Sequence, residues 1–470
     1  MKYGRFVKRL ISVGLVTVLS LGLSISAFAT EAEEDEDSQL QKDLDAAYAI
    51  NIESNERTNW PEGPETYGES AIVMEVGTGA ILYEKNIDAH QYPASITKLL
   101  TTLVALKYGS LSDKVVFSAD SVDFLEPGDS SIGLDEGDEI SLAQALYATL
   151  LASANEAAYA VGESVGTNAG HDYQWFIDEM NATVEELGGH NSNFVNTNGL
   201  HDEDHYTCAR DMALIGRELF KYEDFFTISQ TKQYTIEASD TVEEHTFQQH
   251  HKMLYEDNSE YYEYFVGGKT GYTSDAKSTL VTMTDKDGFQ LVCVVLRTYG
   301  KNVYPDSRNL LEYVYNNFSK VSIADHETSA DIGSYIDAAD AGEYADEAAG
   351  YVVLPDSVSF ADLDMELVPD ENAQETGLAT VRYSYEDTFL GSARVNLSES
   401  YMKAHYEEND KETTVETMEE EEKVEQEMPV DTIILYALFG VLGILLIALI
   451  IAIVRYRGKK KRGRRQLKLD

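Results

Sequence analysis

The stretch from Thr432 to Val454 constrains this chain more than any other feature, because it runs for 23 residues without a charged side chain. As a helix rising ~1.5 Å per residue it would be about 34 Å long, enough to cross a hydrocarbon core of about 30 Å. Nine lysines and arginines follow it, and such clusters stay on the cytoplasmic side of a membrane. The sequence therefore predicts a transmembrane helix at 432–454 and a basic cytoplasmic tail at 455–470. A buried globular helix is the alternative, but few are so uniformly apolar.

The first 29 residues have the three parts of a secretory signal peptide. A basic start that ends at Arg9 is followed by an apolar run from Leu10 to Ile25 and by the small-residue exit Ala27-Phe28-Ala29. A first transmembrane helix is disfavoured by the short apolar core and by that exit. We expect a single-pass protein of the cell membrane whose large middle part is extracellular and whose C-terminus is cytoplasmic.

The composition is strongly acidic, with 83 Asp and Glu against 36 Lys and Arg and a formal net charge of −47. Thirteen of those bases lie at the two ends, so the middle part is more acidic still. A surface of this charge repels phosphate backbones, which excludes nucleic acid as a partner. The two cysteines, Cys208 and Cys293, are too few for a disulfide framework. They suit small buried hydrophobic positions, and one bridge between them stays open.

The middle part changes character along the chain. Strand-like runs at 71–83 and 278–296 alternate with helical stretches at 94–106, 142–165 and 308–318, which indicates an α/β domain. Short strand candidates between Tyr351 and Leu397 predict a small β-sandwich. An acid-rich segment at 407–427 is nearly free of aliphatic residues and should form an extended stalk. The predicted intervals are an acidic linker at 30–66, the α/β domain at 67–322, the β-rich domain at 323–405 and the acidic stalk at 406–431.

Ser95 and Lys98 lie at the start of the first apolar helical stretch. Residues three apart share a helix face, so the lysine amine can lie beside the serine oxygen and take its proton. The S-x-x-K pattern also occurs at 229–232, 274–277 and 400–403. Only the copy at Ser95 opens a long apolar helix, which could hold the two side chains rigidly.

Two further polar patterns follow in order. Ser153-Ala154-Asn155 interrupts the helical stretch at 142–165, and Lys269-Thr270-Gly271 precedes the strand pair at 278–296. A cation and a hydroxyl on a strand can bind a substrate carboxylate. A glycine beside them lets the substrate backbone approach closely.

Together and in this order, the three patterns resemble those of the penicillin-recognising serine enzymes. The match is closest to the low-molecular-mass penicillin-binding proteins, the serine D-alanyl-D-alanine carboxypeptidases. The resemblance covers about 71–318 and includes 92–98 (YPASITK), 198–200 (NGL), 205–207 (HYT) and 268–273 (GKTGYT). It implies a β-lactamase/transpeptidase-like α/β domain, and the segment 351–401 resembles the C-terminal domain of the family.

The resemblance implies a catalytic group of three residues. Ser95 corresponds to the acyl-forming nucleophile, Lys98 to its general base, and Ser153 to a proton shuttle toward the leaving group. The backbone N–H groups of Ser95 and Tyr272 would form the oxyanion hole. A nearby cation such as Lys269 would help to keep Lys98 neutral. No metal or cofactor is implied.

The resemblance also implies how substrate is held. Asn155 would bind the substrate amide, and Lys269 with Thr270 would bind the terminal carboxylate beside Gly271. Arg297, just past the second strand of the pair, is a candidate for a second carboxylate contact. The expected substrates are peptidoglycan stem peptides ending in D-Ala-D-Ala, with β-lactams as covalent inhibitors and the lipid bilayer as a partner of 432–454.

Two other functions stay open. A serine β-lactamase of the first class needs a Glu-x-x-Leu-Asn element to activate the deacylating water, and none occurs between Asn155 and Lys269. A catalytically inert penicillin-binding or surface module would keep the motifs without turnover; as a pure surface module it would not be labelled covalently by penicillin.

Two more patterns could be taken for a metal site and for a phosphate-binding loop, and the sequence favours neither. The run His201-Asp-Glu-Asp-His205 could bind a metal, but a solvated turn is the simpler interpretation in so acidic a chain. Gly268-Lys269-Thr270 is not a phosphate-binding loop, because Glu263 stands where that motif needs its first glycine. The segment 248–252 (QQHHK) departs from the Asn-x-Asn turn that is usual in the family.

Overall fold

The structure is a computed structural model that describes residues 38–299, 301–337 and 349–407. The predicted signal peptide, transmembrane helix and basic tail lie outside these ranges, as does nearly all of the stalk. Within these ranges no helix is both long and apolar enough to cross a membrane. The described residues up to Ser398 belong to one compact unit. The second unit contains the short helix Glu399–Met402 and the π-helical turn Lys403–Glu407.

A five-stranded antiparallel sheet forms the centre of the first unit, in the order β2-β1-β9-β8-β7. Its strands are β1 (Ser70–Glu75), β2 (Ile81–Lys85), β7 (Phe265–Thr273), β8 (Lys277–Lys286) and β9 (Phe289–Thr298). Two tight turns explain the pairing of neighbours in sequence. Gly79 between β1 and β2, and Asp287-Gly288 between β8 and β9, have the positive φ that short hairpin turns require. Two small hairpins lie outside this sheet: β3 (Lys114–Val116) with β4 (Glu139–Ser141), and β5 (Gln233–Ile236) with β6 (His245–Gln248).

Helices cover both faces of the central sheet, which explains why its strands are apolar runs rather than alternating ones. The helices of the first unit are α1 (38–48), α2 (Thr97–Tyr108), α3 (Ala119–Val122), α4 (Leu142–Leu151), α5 (Asn155–Asn168), α6 (Tyr173–Glu186), α7 (Ala209–Leu219), α8 (Glu223–Ser229), α9 (Val303–Asn317) and α10 (Ala373–Thr376). On β9, Val292 lies against Gly216 of α7, and the next residue, Cys293, lies against Ser307 of α9. Successive strand residues point to opposite faces, so α7 and α9 pack on opposite sides.

Helix α2 lies at the centre of the helical layer, where it packs against α4, α5, α6 and α7. All of its residues from Thr97 to Ala105 are buried, including Lys98. A helix that is apolar nearly all round is expected to be surrounded by protein. The charged exception, Lys98, is therefore fixed in the interior at the start of the helix.

The β-rich part, for which the sequence predicts a small β-sandwich, contains one hydrogen-bonded network of six strands in the described ranges. Its strands are β10 (Phe318–Ser322), β11 (Ile332–Tyr335), β12 (Tyr351–Pro355), β13 (Asp364–Pro369), β14 (Leu378–Tyr385) and β15 (Thr388–Leu397). The network is continuous because the long strand β15 pairs with β12 near its start and with β11 near its end. Strand β10 belongs to this sheet, although the sequence assigns residues up to 322 to the α/β domain.

A buried carboxylate joins the two sheets. Glu75, at the end of β1, accepts a hydrogen bond from the hydroxyl of Tyr351 in β12 (2.7 Å) and lies 3.2 Å from the ammonium of Lys320 in β10. Thr78 donates to its second oxygen through both its backbone N–H and its hydroxyl. The carboxylate is therefore paired on the first sheet and on the second.

Residues 38–66, which the sequence assigns to an acidic linker, are packed rather than extended. Ile52 and Trp60 are buried, and the indole N–H of Trp60 donates to the carbonyl of Leu82 in β2. The fully buried ammonium of Lys85 donates to the carbonyls of Ala47 and Thr66. Burial of a few apolar residues and one lysine thus ties a mostly polar segment to the sheet.

Cys208 and Cys293 are both buried and unbridged. The thiol of Cys208 accepts the N–H of Asp211 at the start of α7, and burial raises the pKa of this thiol to about 12. Burial raises the pKa of Cys293 as well. The bridge that the sequence leaves open is not formed.

Candidate active site

Ser95 lies in a 3₁₀ turn, Ala94–Ile96, that leads directly into α2. Ala94 has a φ of +52°, which is strained for a residue with a side chain. The backbone of Gly199 contacts this turn on one side, and the backbone of Gly271 contacts it on the other. A Cβ on Gly199 would lie 1.9 Å from the carbonyl oxygen of Ala94, and a Cβ on Gly271 would lie 3.0 Å from the backbone nitrogen of Ser95. Only glycine fits at either position.

Lys98 is fully buried and has three polar neighbours. Its Nζ lies 3.1 Å from Ser95 Oγ, 2.8 Å from Asn155 Oδ1 and 2.6 Å from the carbonyl oxygen of Asn198. Burial, and then the charge of Lys269, lower the pKa of Lys98 well below its usual value. A neutral amine has two N–H groups and one lone pair. The two carbonyl-type oxygens can only accept the N–H groups, which leaves the lone pair for the hydroxyl of Ser95.

Ser153 and Asn155 lie at a break between two helices. Ser153 has a φ of +61° between the end of α4 and the start of α5, so one continuous helix is impossible there. The break turns both side chains toward the catalytic group. Asn155 accepts from Lys98, and Ser153 Oγ accepts from the ammonium of Lys269 at 3.0 Å.

Lys269 is buried on β7, and its ammonium also donates to the carbonyl of Thr270 at 2.9 Å. Burial lowers its pKa to about 7. A lysine has three N–H donors, and these contacts use two of them. As far as the described part of the chain is concerned, the third N–H is left for a ligand.

The candidate active site opens as a cleft of about 440 Å³. Ser95, Ser153, Thr270, Gly271 and Tyr272 line it, as their motifs predict, with Lys98, Asn155 and Lys269 buried behind. Tyr272 is 70 % exposed at the rim. Eight of the nine site residues predicted from the sequence are therefore in this region of the molecule.

Arg297 is the one that is not. Its Nε donates to Glu69 at 2.9 Å and its guanidinium donates to the carbonyl of Asp275 at 2.7 Å. It does not line the cleft. Its φ of +52° lies in a β-bulge, opposite Thr279, where the pairing of β8 with β9 shifts register. The bulge turns the side chain out of the alternation that a regular strand would give.

The cleft also contains residues that the motifs did not indicate: Ser130, His250, Lys252, Glu260 and Lys301. Burial and the charge of Lys269 lower the pKa of His250. The departure of segment 248–252 from the family pattern was a signal for His250. Lys252 belongs to the same segment, and the other three carry no pattern in the sequence.

The carboxylate of Glu156, next to Asn155, is fully buried. One of its oxygens accepts from the hydroxyl of Ser131 and from the N–H of Ile132, both at 2.7 Å. The N–H of Asn155 in turn donates to the carbonyl of Ser130. Glu156 therefore fixes the loop that contributes Ser130 to the cleft.

Among the described residues, no group of three or more His, Cys, Asp and Glu side chains is placed to hold a metal ion. The sequence predicts that the run 201–205 is a solvated turn, but its two histidines differ in their exposure to solvent. His201 is partly exposed with its ring edge-on to Tyr92, whereas His205 is only 1 % exposed.

Comparison with known proteins agrees with this geometry. The family model described as D-alanyl-D-alanine carboxypeptidase matches residues 57–299. The chain belongs to this family. The resemblance predicted from the three motifs is therefore confirmed.

Several members of the D-alanyl-D-alanine carboxypeptidase family are similar to the chain. DacF of Bacillus subtilis is 32 % identical over 260 residues, which are 53 % of this chain and 62 % of DacF. DacA of Haemophilus influenzae is 30 % identical over 283 residues, 58 % of this chain and 67 % of DacA. The chain thus matches less than two thirds of DacF and about two thirds of DacA.

A solved structure shows the fold. The Streptomyces K15 DD-transpeptidase superposes with a TM-score of 0.50 at 27 % identity, covering 54 % of this chain and 99 % of that one. The transpeptidase-like α/β fold predicted for the catalytic part is confirmed.

Proposed function

We propose that this protein is a serine D-Ala-D-Ala carboxypeptidase that removes the terminal D-alanine from peptidoglycan stem peptides. The observation that carries the proposal is the buried amine of Lys98, 3.1 Å from Ser95 Oγ. Two obligate acceptors take its N–H groups, and burial beside Lys269 lowers its pKa. A lysine in this state can act as a general base at neutral pH.

In the proposed acylation, Lys98 takes the proton of Ser95 while Ser95 Oγ bonds to the carbonyl carbon of the penultimate D-alanine. The backbone N–H groups of Ser95 and Tyr272 stabilise the oxyanion. The C–N bond then breaks, and the leaving nitrogen takes a proton from Lys98 through the hydroxyl of Ser153. In the second step a water oxygen bonds to the acyl carbon while its proton passes to Lys98. The bond between that carbon and Ser95 Oγ then breaks, Lys98 returns the proton to Ser95 Oγ, and the shortened peptide leaves with a free carboxyl group.

Substrate binding in this proposal uses the remaining cleft residues. The free N–H of the Lys269 ammonium and the hydroxyl of Thr270 bind the terminal carboxylate, and Asn155 binds the substrate amide. β-Lactams carry an amide carbonyl and a carboxylate at comparable positions, so they should acylate Ser95 and remain bound. Arg297 is absent from this set, because it does not line the cleft and its side chain is directed to Glu69 and to the carbonyl of Asp275.

The test combines two measurements on the purified exported part. Wild type should be labelled covalently by fluorescent penicillin and should release D-alanine from a D-Ala-D-Ala peptide, with or without a chelator. Ser95→Ala should do neither while keeping the thermal unfolding midpoint. Labelling without D-alanine release, together with rapid penicillin turnover, would identify a β-lactamase instead. Absence of labelling would identify an inert surface module.

We also propose that residues 432–454 anchor the enzyme in the cell membrane with its active site outside. Support comes from the 23 uncharged residues, the nine bases after them and the signal-peptide pattern of residues 1–29. Protease added to wall-stripped cells should release an active fragment cut within 406–431. A chain that ends before Asp431 should be secreted in active form. Retention of that shortened chain in salt-washed membranes would contradict the anchor.

A further inference from the structure

His205 lies in the interior beside the turn that holds Ser95. Its Nε2 is 2.9 Å from the hydroxyl of Thr97, and its Nδ1 is 3.1 Å from the backbone nitrogen of Val195. Phe194 packs edge-on against its ring. The run 201–205 is acidic, yet this histidine does not face solvent and does not reach the cleft.

The contacts of His205 fix its tautomer. The N–H of Val195 can only donate, so Nδ1 must carry a lone pair. In the neutral ring the proton then lies on Nε2, which donates it to the oxygen of Thr97. The hydroxyl of Thr97 is free to donate in turn, and its oxygen lies 2.9 Å from the carbonyl oxygen of Ala94. A chain of hydrogen bonds therefore runs from Val195 through His205 and Thr97 to Ala94.

The last acceptor in this chain belongs to the reacting part of the molecule. The carbonyl of Ala94 and the N–H of Ser95 are the two ends of one peptide unit, which is planar with its C=O and N–H pointing in opposite directions. Fixing the carbonyl therefore fixes the direction of the N–H that the proposed mechanism uses as an oxyanion donor. The carbonyl of Ala94 also accepts the backbone N–H of Thr97, so the hydroxyl of Thr97 is a second donor that holds this strained peptide in place.

We infer that His205 is a positioning residue for acylation, which acts through Thr97 on the Ala94–Ser95 peptide and so sets the oxyanion hole. The inference rests on the proposed acyl-enzyme at Ser95. It gives a purpose to a histidine that none of the three motifs contains.

The surroundings of His205 keep its ring neutral. Burial, with smaller contributions from His201 and Lys98, lowers its pKa to about 4, and Asp202 opposes the shift. A protonated ring would carry a proton on Nδ1 directed at the N–H of Val195, which would break the first contact of the chain. Near neutral pH the arrangement described above is therefore the populated one.

Two substitutions of His205 distinguish a positioning role in acylation from a role in stability alone. In His205→Asn the amide lies where Nδ1 was, so it can still accept from Val195 but cannot reach Thr97. In His205→Gln the amide reaches the position of Nε2 and can still donate to Thr97. Acylation by a chromogenic β-lactam should fall about 10- to 100-fold in His205→Asn, and His205→Gln should retain clearly more activity. The loss should appear in the acylation rate constant rather than in the dissociation constant.

Two substitutions of Thr97 test the same chain of hydrogen bonds. Thr97→Val removes the hydroxyl at nearly constant shape, and Thr97→Ser keeps it. The valine variant should lose acylation to the same extent as His205→Asn, and the double variant should lose no more than either alone, because both break one chain.

The outcomes distinguish the two proposals. A wild type that is never acylated would sink the proposed function itself. A wild type that is acylated, with His205→Asn as active as His205→Gln at equal thermal stability, would overturn the positioning role. Losses that follow the unfolding midpoint in all four variants, or that add in the double variant, would overturn it too.

Discussion

Replacing Lys269 by methionine should change how strongly the enzyme prefers a free carboxylate at the end of its substrate. Methionine keeps most of the side-chain volume in this buried position and removes the charge. The ammonium of Lys269 has one donor left after Ser153 and the carbonyl of Thr270. In the proposed function that donor makes a charge-assisted hydrogen bond to the substrate.

The expected size follows from that single bond. A charge-assisted hydrogen bond contributes about 1.5–3 kcal/mol and a neutral one about 0.5–1.5 kcal/mol. At 1.4 kcal/mol per tenfold, a substrate ending in a free acid should lose about 10- to 150-fold in kcat/KM, and its C-terminal amide about 2- to 10-fold. The preference for the acid should thus shrink by about tenfold.

The assay compares kcat/KM for a D-Ala-D-Ala peptide and for its C-terminal amide, by chromatographic measurement of released D-alanine or D-alaninamide. Lys286→Met is the matched control, because this lysine of β8 lies over the rings of Tyr264 and Tyr315 rather than in the cleft. Its preference should equal that of wild type. Equal losses for acid and amide in Lys269→Met would refute the reasoning and would mean that Lys269 acts through Lys98 instead.

Three further predictions concern pH and packing. Lys98 must be neutral to act, so acylation by penicillin should fall as the pH drops through its lowered pKa. The charge of Lys269 lowers the pKa of Lys98 and the charge of Glu156 raises it. The acid limb should therefore move to higher pH in Lys269→Met and to lower pH in Glu156→Gln. Shifts in the same direction would contradict the assignment of this limb to Lys98. On the alkaline side, kcat/KM for free-acid substrates should decline above about pH 7, where Lys269 loses its proton, and the decline should be much smaller for the amide. Gly199→Ala should slow acylation about 100-fold or more, because the new Cβ would lie 1.9 Å from the carbonyl of Ala94; near-wild-type labelling would show that the turn can move aside at little cost.

The central features of the site could be predicted because they depend on residue type and short spacing. Ser95 and Lys98 share one helix turn, and the lysine of β7 lies in a motif of three consecutive residues. The carbonyl of Asn198, 100 positions from Lys98, could not be predicted, because a backbone acceptor leaves no side-chain pattern. His205 lies within a segment of the resemblance, 205–207, but its role could not be predicted, since its acidic neighbours suggest solvent while its ring is enclosed by Phe194 and α2.

Local backbone geometry accounts for the remaining differences. Arg297 follows an apolar strand, and regular alternation would be needed to infer where its side chain points. A bulge opposite Thr279 breaks that alternation, and bulges have no reliable sequence signal. The extent of the single second sheet could not be inferred either, because β15 is long enough to pair with two different strands along one edge.

The buried carboxylate of Glu75 determines how far the two sheets can be treated as interchangeable modules. A graft that replaced the chain from β10 onward would remove both Tyr351 and Lys320 and would leave the buried carboxylate without these two partners. Breaking a buried ion pair on one side typically costs about 3–5 kcal/mol. Recombination between relatives should therefore tolerate a crossover just before β10 only when the incoming half brings its own hydroxyl and cation for this carboxylate. Glu75 on one side of the boundary and its two partners, Lys320 and Tyr351, on the other must therefore be inherited together.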